Sequence, residues 1–130
     1  GAHNIEVKPI TSTKVLKRLQ AKADRLLLDV PCSGTGVIKR NPDTKWKLQP
    51  DHLERVCKIQ KDILQNYTKM LKPGGLVVYA TCSILRTENE DQVAHFLAQN
   101  PEFSKVEEQR VNPTENNDGF YMALLQKSPA

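Results

Sequence analysis

The chain has 130 residues, of which 26% are charged, and a formal net charge of +4. This length suits one domain or part of one, and no apolar stretch approaches the roughly 18 residues that a membrane span requires. There are three cysteines, with no signal peptide and no cluster of cysteine and histidine at metal-ligand spacing. This pattern indicates a protein of the reducing cytoplasm, with no disulfide, no bound metal and no membrane partner.

The N-terminal half predicts a strand, a long helix and a second strand. Before them, "IEV" (5–7) predicts a short strand and the region Lys14–Ala21 a helix. The apolar runs "RLLLDV" (25–30) and "GGLVVYA" (74–80) are too short for helices and suit buried parallel strands. Between them, apolar residues recur at three- and four-residue steps, with Pro50 at the first turn and "PGG" (73–75) as the stop. A right-handed crossover then sets the two strands parallel in one sheet.

The C-terminal half predicts one more helix and two late strands. Thr87 and Glu90 have capping-box spacing and precede a helical pattern that ends at Asn100. "FSKV" (103–106) and "GFYMALL" (119–125) predict strands, separated by a polar loop over residues 112–119. The order of these elements indicates an α/β fold.

A cysteine follows each of the two predicted parallel strands, Cys32 in "DVPCSG" (29–34) and Cys82 in "YATCS" (79–83). Loops at the carboxyl ends of parallel strands form the binding crevice of such sheets, so we expect the two thiols to be neighbours. Backbone amides or a helix start at these places could stabilise a thiolate. A single cysteine is more often a small buried hydrophobe, the interpretation we give to Cys57 inside the long helix.

Two further features each leave two interpretations open. Asp29 ends an apolar run, where a carboxylate is costly to bury unless something hydrogen-bonds to it. It either caps the following turn or contacts a ligand. The stretch "KRNPDTKWK" (39–47) combines four basic residues with the only tryptophan. It either contacts RNA through phosphates and stacking, or forms a solvated loop with Trp46 packed on the core.

The two cysteine motifs resemble those of a known family. "DVPCSGTG" (29–36) and "VVYATCSILRTENE" (77–90) resemble motifs IV and VI of the RNA (cytosine-5) methyltransferases of the Sun/Fmu type, which use S-adenosylmethionine. The resemblance continues through "NPDTKW" (41–46), "LKPGG" (71–75) and "DGFYMALLQK" (118–127). DNA cytosine-5 methyltransferases also use a Pro-Cys pair but lack a second thiol in a "TCS" motif. The second thiol therefore favours the RNA enzymes.

The resemblance implies an activity and roles for particular residues. It implies methylation of carbon 5 of cytosine in rRNA or tRNA through a covalent bond between Cys82 and carbon 6, with Cys32 acting in product release. Asp29 and Pro31 match the motif IV residues that lie against the cofactor. We expect the RNA contacts to come from the basic stretch, at Lys39, Arg40, Lys45 and Trp46.

The resemblance also implies a fold, a Rossmann-like class I methyltransferase sheet with helices on both faces. Family members carry a Gly-rich loop and an acidic strand end before these motifs, and this chain shows neither. We therefore expect residues 1–130 to be the C-terminal portion of the catalytic domain, lacking the first two strands.

Three expectations follow for the chain by itself. It should bind S-adenosylmethionine weakly or not at all, be inactive alone, and self-associate through an open sheet edge. The alternative is a non-catalytic RNA-binding or interaction module that kept the fold and lost the cofactor site.

Overall fold

The computed structural model describes residues 1–130 and contains one four-stranded sheet. None of its helices is both long enough and apolar enough to cross a membrane. The helices are α1 (Thr13–Arg18), α2 (Thr44–Lys47), α3 (Pro50–Tyr67) and α4 (Glu90–Gln99). The strands are β1 (Ala23–Asp29), β2 (Leu71–Thr81), β3 (Phe103–Val111) and β4 (Phe120–Lys127). Short 3-10 turns lie at Thr35–Val37, Thr68–Met70 and Arg86–Glu88.

The strand order is β1-β2-β4-β3. β1 and β2 are parallel neighbours, with Asp29 opposite Ala80, as the strand-helix-strand pattern predicts. β4 lies antiparallel between β2 and β3. The class I methyltransferase sheet that the resemblance implies has the strand order 3-2-1-4-5-7-6, and the four strands here match its second half, 4-5-7-6. The predicted helix between the two parallel strands is confirmed as α3.

The helices α3 and α4 cover the same face of the sheet. The core contains Leu64 of α3 and Phe96 of α4 together with Leu28, Val77 and Tyr121 from three strands. Both crossovers, β1-α3-β2 and β2-α4-β3, advance in the same direction across the sheet, and right-handed crossovers then place their helices on one side. Of the helices expected on both faces of the sheet, residues 1–130 therefore contain those of one face.

The opposite face of the sheet is uncovered within residues 1–130. Its apolar side chains alternate with those of the core, and Leu27 of β1 is 69% exposed. Leu76 and Val78 of β2 and Met122 and Leu124 of β4 continue this face across the sheet. β1 pairs only with β2, so its outer edge has no strand partner.

The N-terminal segment differs from the prediction. Residues 5–7 form no strand, and the side chains of Ile5 and Val7 are 72% and 87% exposed. A strand needs a neighbour for its backbone hydrogen bonds, and this segment does not reach the edge of β1. The predicted helix is confirmed in shorter form as α1, which lies beside the turn at 68–70.

The start of α4 also differs from the prediction. The residue before the helix is Asn89, no side chain caps it, and Thr87 lies in the preceding 3-10 region. Glu90 instead pairs with Arg110 of β3, with a shortest nitrogen-oxygen distance of 2.6 Å. The tertiary ion pair takes the place of the local capping box, because Arg110 approaches Glu90 from the neighbouring strand.

Candidate active site

Cys32 and Cys82 meet at the carboxyl ends of β1 and β2, as the sequence predicts. Their Sγ atoms lie 3.1 Å apart, within reach of an S–H···S hydrogen bond, and both side chains are half-buried. Parallel pairing of adjacent strands brings the two loops to one edge of the sheet. Cys57 takes no part in this pair; its Sγ faces the Thr87 carbonyl oxygen at 3.7 Å.

The Cys32 thiol stays protonated at neutral pH. Burial raises the pKa of Cys32 to about 12, and the hydrogen bond with Cys82 is the second cause. A protonated Cys32 can donate its S–H to the Cys82 sulfur. The pair is therefore arranged as one donor thiol beside one potential nucleophile.

Both cysteine loops hydrogen-bond to one buried carboxylate, that of Glu88, which is fully buried. From the first loop, the backbone N–H of Ser33 donates to Oε1 at 2.7 Å, and the Ser33 hydroxyl donates to Oε2 at 2.6 Å. From the second loop, the Ser83 hydroxyl donates to Oε2. Gln60 of α3 adds a fourth donor, from Nε2 to Oε1 at 3.1 Å. We call Glu88, Ser33, Ser83 and Gln60 the Glu88 cluster.

The loop after Cys82 is held by further buried hydrogen bonds. The Tyr79 hydroxyl donates to the Glu88 carbonyl oxygen at 2.6 Å, and Thr81 donates to Asn89 Oδ1 at 2.5 Å. Asn89 Nδ2 in turn donates to the Ser83 carbonyl oxygen at 2.8 Å. From β3, Arg110 donates to the Ile84 carbonyl oxygen at 2.9 Å. The loop after Cys82 is therefore held by hydrogen bonds from β2, from the residue before α4 and from β3.

A close backbone approach joins the Cys32 loop to two other segments. The Gly36 N–H donates to the Cys82 carbonyl oxygen, and the Gly119 N–H donates to the Gly36 carbonyl oxygen, both at 2.8 Å. A Cβ atom on Gly36 would lie 2.3 Å from the Gly119 oxygen and 2.7 Å from the Cys82 oxygen. Only a glycine fits at this place, where the loops after β1 and β2 and the start of β4 converge.

The predicted cofactor residues Asp29 and Pro31 lie at the end of β1 and are exposed. The Asp29 carboxylate makes no hydrogen bond or ion pair within the chain, so it does not cap the following turn. It lies on the uncovered face, in register with Ala80. The Pro31 carbonyl oxygen accepts a hydrogen bond from Gln60 Nε2 at 2.9 Å, which links it to the Glu88 cluster.

The four predicted RNA contacts separate into two pairs. Arg40 forms an ion pair with Asp118, and Lys39 donates to the Glu115 carbonyl oxygen, so both hold the 112–119 loop. Trp46 is 76% exposed, which excludes packing of its ring on the core. Lys45 Nζ lies 5.4 Å from the centroid of the Trp46 ring. The exposed pair is therefore a cation beside an aromatic surface.

Sequence reasoning missed the Glu88 cluster. Gln60 falls at an apolar position of the α3 pattern, one turn after Val56, and a polar residue there is a signal of a buried partner. Glu88, by contrast, stands beside Glu90 and Asp91, and nothing local distinguishes the buried carboxylate from the two others.

The comparison with protein families agrees with this geometry. The model of the family described as 16S rRNA methyltransferase RsmB/F matches residues 1–126. The chain belongs to the RsmB/F family. A relative from Vibrio vulnificus named Ribosomal RNA small subunit methyltransferase B is 46% identical over 111 residues, which cover 80% of this chain and 26% of that protein. The chain thus spans about a quarter of the length of the curated RsmB/F relatives that it matches.

Solved structures agree on the fold. The crystal structure of PH0851 is similar with a TM-score of 0.80 and 35% identity, covering 83% of this chain and 27% of that one. The structure of NSun6 from Pyrococcus horikoshii with SFG gives a TM-score of 0.77 at 27% identity, covering 92% and 34%. The RsmB/F chain therefore has part of a class I methyltransferase fold, as its sequence predicts.

Proposed function

We propose that the protein containing this chain methylates carbon 5 of a cytosine in ribosomal RNA, with Cys82 as the nucleophile. The observation that carries the proposal is the 3.1 Å approach of the Cys32 and Cys82 sulfurs at the ends of two parallel strands. Membership of the RsmB/F family and relatives named for small-subunit rRNA methylation favour rRNA over tRNA as the substrate.

The two thiols suit consecutive steps of this reaction. Carbon 5 of cytosine is a weak nucleophile, and addition of the Cys82 thiolate to carbon 6 makes it electron-rich. S-adenosylmethionine supplies the electrophilic methyl group. A base such as water then takes the carbon-5 proton, the double bond between carbons 5 and 6 re-forms, and Cys82 leaves carbon 6 as a thiolate, which releases the product. We assign Cys32 to this release, because its thiol is in direct contact with the Cys82 sulfur.

The end of β1 fits the cofactor that the proposal requires. Asp29 offers a carboxylate that has no partner within the chain, and Pro31 lies exposed two residues on. A relative's structure with SFG, an S-adenosylmethionine analogue, supports the same cofactor here. We infer that residues 1–130 form the C-terminal portion of the catalytic domain. Alone, they should bind the cofactor weakly or not at all and be inactive.

The exposed Lys45 and Trp46 support RNA contact. An aromatic ring with a cation next to it can stack on an unpaired base while the cation meets a phosphate. Lys39 and Arg40 instead act by holding the 112–119 loop, and their contribution to RNA binding is through that loop. A target cytosine must be unstacked to be reached by a thiolate, and an exposed aromatic ring can stack on a base of the opened RNA.

The experiment is adduct formation by the full-length protein with RNA that contains 5-fluorocytosine. The fluorine at carbon 5 cannot leave as a proton, so the covalent bond to carbon 6 persists and the complex survives denaturing electrophoresis. We expect wild type to form this adduct and Cys82→Ala to form none and to be inactive. Cys32→Ala should accumulate an adduct with ordinary RNA, because release is impaired.

Cys57→Ala is the matched control, a thiol of α3 outside the pair, and should keep both methylation and release. Normal turnover by Cys82→Ala would contradict the role of the nucleophile. Binding of RNA by the wild type without adduct or methyl transfer would instead favour the non-catalytic RNA-binding module.

A further inference from the structure

Both cysteine loops hydrogen-bond to the Glu88 carboxylate. It is buried, and no lysine, arginine or histidine forms an ion pair with it. Its two oxygens are satisfied by four donors of the Glu88 cluster, two of them from Ser33 and one from Ser83. Ser33 follows Cys32 directly in the chain, and Ser83 follows Cys82. A shift of this carboxylate would therefore move both thiols.

A hydroxyl chain adds a second link between the loops. The Ile84 N–H donates to Thr35 Oγ1 at 3.1 Å, and the Leu85 N–H donates to Ser83 Oγ at 3.0 Å. The Thr35 and Ser83 hydroxyl oxygens lie 3.0 Å apart. With the Ser33 and Ser83 hydroxyls donating to Glu88, the Thr35 hydroxyl can donate to Ser83 Oγ. The arrangement leaves no unpaired donor around the carboxylate.

We propose that Glu88 is a positioning residue that sets the distance between the Cys32 and Cys82 sulfurs. It touches neither thiol, and it acts through Ser33 and Ser83. The inference deepens the proposed function and rests on it for its catalytic meaning, since the distance matters to a reaction that uses both thiols. The placement of the thiols itself can be measured without any methyl transfer.

Two substitutions at Glu88 distinguish the role of its hydrogen bonds from the role of its charge. Glu88→Ala removes the acceptor of the four hydrogen bonds of the cluster, and buried donors left without a partner are costly. Glu88→Gln keeps Oε1 as acceptor for Ser33 N–H and Gln60. Its new amide N–H group can donate to the serine hydroxyl oxygens when those hydroxyls reverse along the chain to Thr35. A positioning role predicts that glutamine retains function and alanine does not.

Oxidative cross-linking of the two thiols by diamide measures their placement directly. The reagent takes up two electrons and two protons as the Cys32–Cys82 disulfide forms, and peptide mapping by mass spectrometry quantifies it. A disulfide requires narrow geometry, so its rate of formation depends on how the loops are held. In the full-length protein at neutral pH, we expect Glu88→Ala to slow cross-linking about tenfold or more and Glu88→Gln to remain within about threefold of wild type.

The rates of methylation by these variants should follow the same order as their rates of cross-linking. We expect Glu88→Ala to lower kcat about tenfold or more with the KM for RNA little changed, and Glu88→Gln to restore most of kcat. The two proposals can fail separately. If the cross-linking rates follow this order but the wild-type protein does not methylate RNA, the positioning role of Glu88 stands and the proposed activity does not.

Asn100→Ala is the control for loss of stability alone. Asn100 is buried at the far end of α4 and bonds to Gln65 and the Phe96 carbonyl oxygen, with no bond to either cysteine loop. The proposal would be overturned if Asn100→Ala slowed cross-linking as much as Glu88→Ala does, or if Glu88→Ala cross-linked at the wild-type rate. Where Glu88→Ala does not fold, the double variant Ser33→Ala, Ser83→Ala decides, and an unchanged cross-linking rate there refutes the role.

Discussion

At the scale of single residues, the environment of Cys32 makes stability depend on pH. Burial, and next the hydrogen bond with Cys82, raise the pKa of Cys32 from 9.0 to about 12. Above pH 9 the unfolded chain loses this proton while the folded chain keeps it. The folded state then binds more protons than the unfolded state, so the free energy of unfolding falls as pH rises.

We therefore predict a difference in alkaline stability between wild type and Cys32→Ala. The contribution of the raised pKa is fully present below pH 9 and is lost as pH rises from 9 towards about 12. Burial also raises the pKa of Tyr79 and Tyr121; at Tyr79 the charge of Cys32 is a smaller cause, and Cys32→Ala removes it together with the Cys32 thiol itself. Denaturant unfolding at several pH values in this window measures the effect, and parallel curves for the two proteins would contradict it.

At the scale of the elements, the site depends on how closely the loops after β1 and β2 approach the start of β4. Gly36 lies between the carbonyl oxygens of Cys82 and Gly119, so a side chain there must push backbone segments apart. Backbone atoms cannot move aside as a flexible side chain can. The loops that carry the thiols are therefore joined by contacts between main chains as well as by the Glu88 cluster.

We predict that Gly36→Ala lowers the free energy of unfolding by about 2 kcal/mol and impairs methylation. Gly74→Ala is the matched control, because its Cβ would meet nothing within 4 Å although its φ is +78°. That variant should cost only about 1 kcal/mol, from the left-handed conformation, and leave activity unchanged. Denaturant titration ranks the two variants, and an unaffected Gly36→Ala would show that the loops can separate freely.

At the scale of the whole molecule, the sheet of residues 1–130 presents an unpaired edge at β1 and an uncovered apolar face. Leu27, 69% exposed, belongs to both features, since it lies on the edge strand and points to the uncovered side. Unpaired backbone groups on an apolar strand are a template for association with another chain. The proposed self-association of the isolated chain follows from this geometry.

We predict that the isolated 130-residue chain sediments as dimers or larger species, and that Leu27→Glu shifts it towards monomer. Ile59→Glu is the control, because Ile59 is 40% exposed on α3, away from the uncovered face of the sheet. Sedimentation velocity at several concentrations measures the distribution. A wild-type chain that stays monomeric throughout would contradict the prediction.

Local patterns in the sequence predict much of the fold and part of the site. The apolar runs before Cys32 and Cys82 indicate β1 and β2, and the helical spacing indicates α3. Together with the handedness of the crossover they place the two thiols at one edge of the sheet. The same patterns do not predict the isolated "IEV" segment correctly, because a strand exists only where a neighbour pairs with it.

The sequence by itself determined the order of strands and helices, the meeting of Cys32 and Cys82, and membership of the family, because each depends on residues close together along the chain or on the handedness of one connection. Only the tertiary structure decided that Glu88, rather than Glu90, joins the cysteine loops, that Gly36 must be a glycine, and that the helices cover one face. These features are distances between residues far apart in sequence, and no local periodicity carries that information.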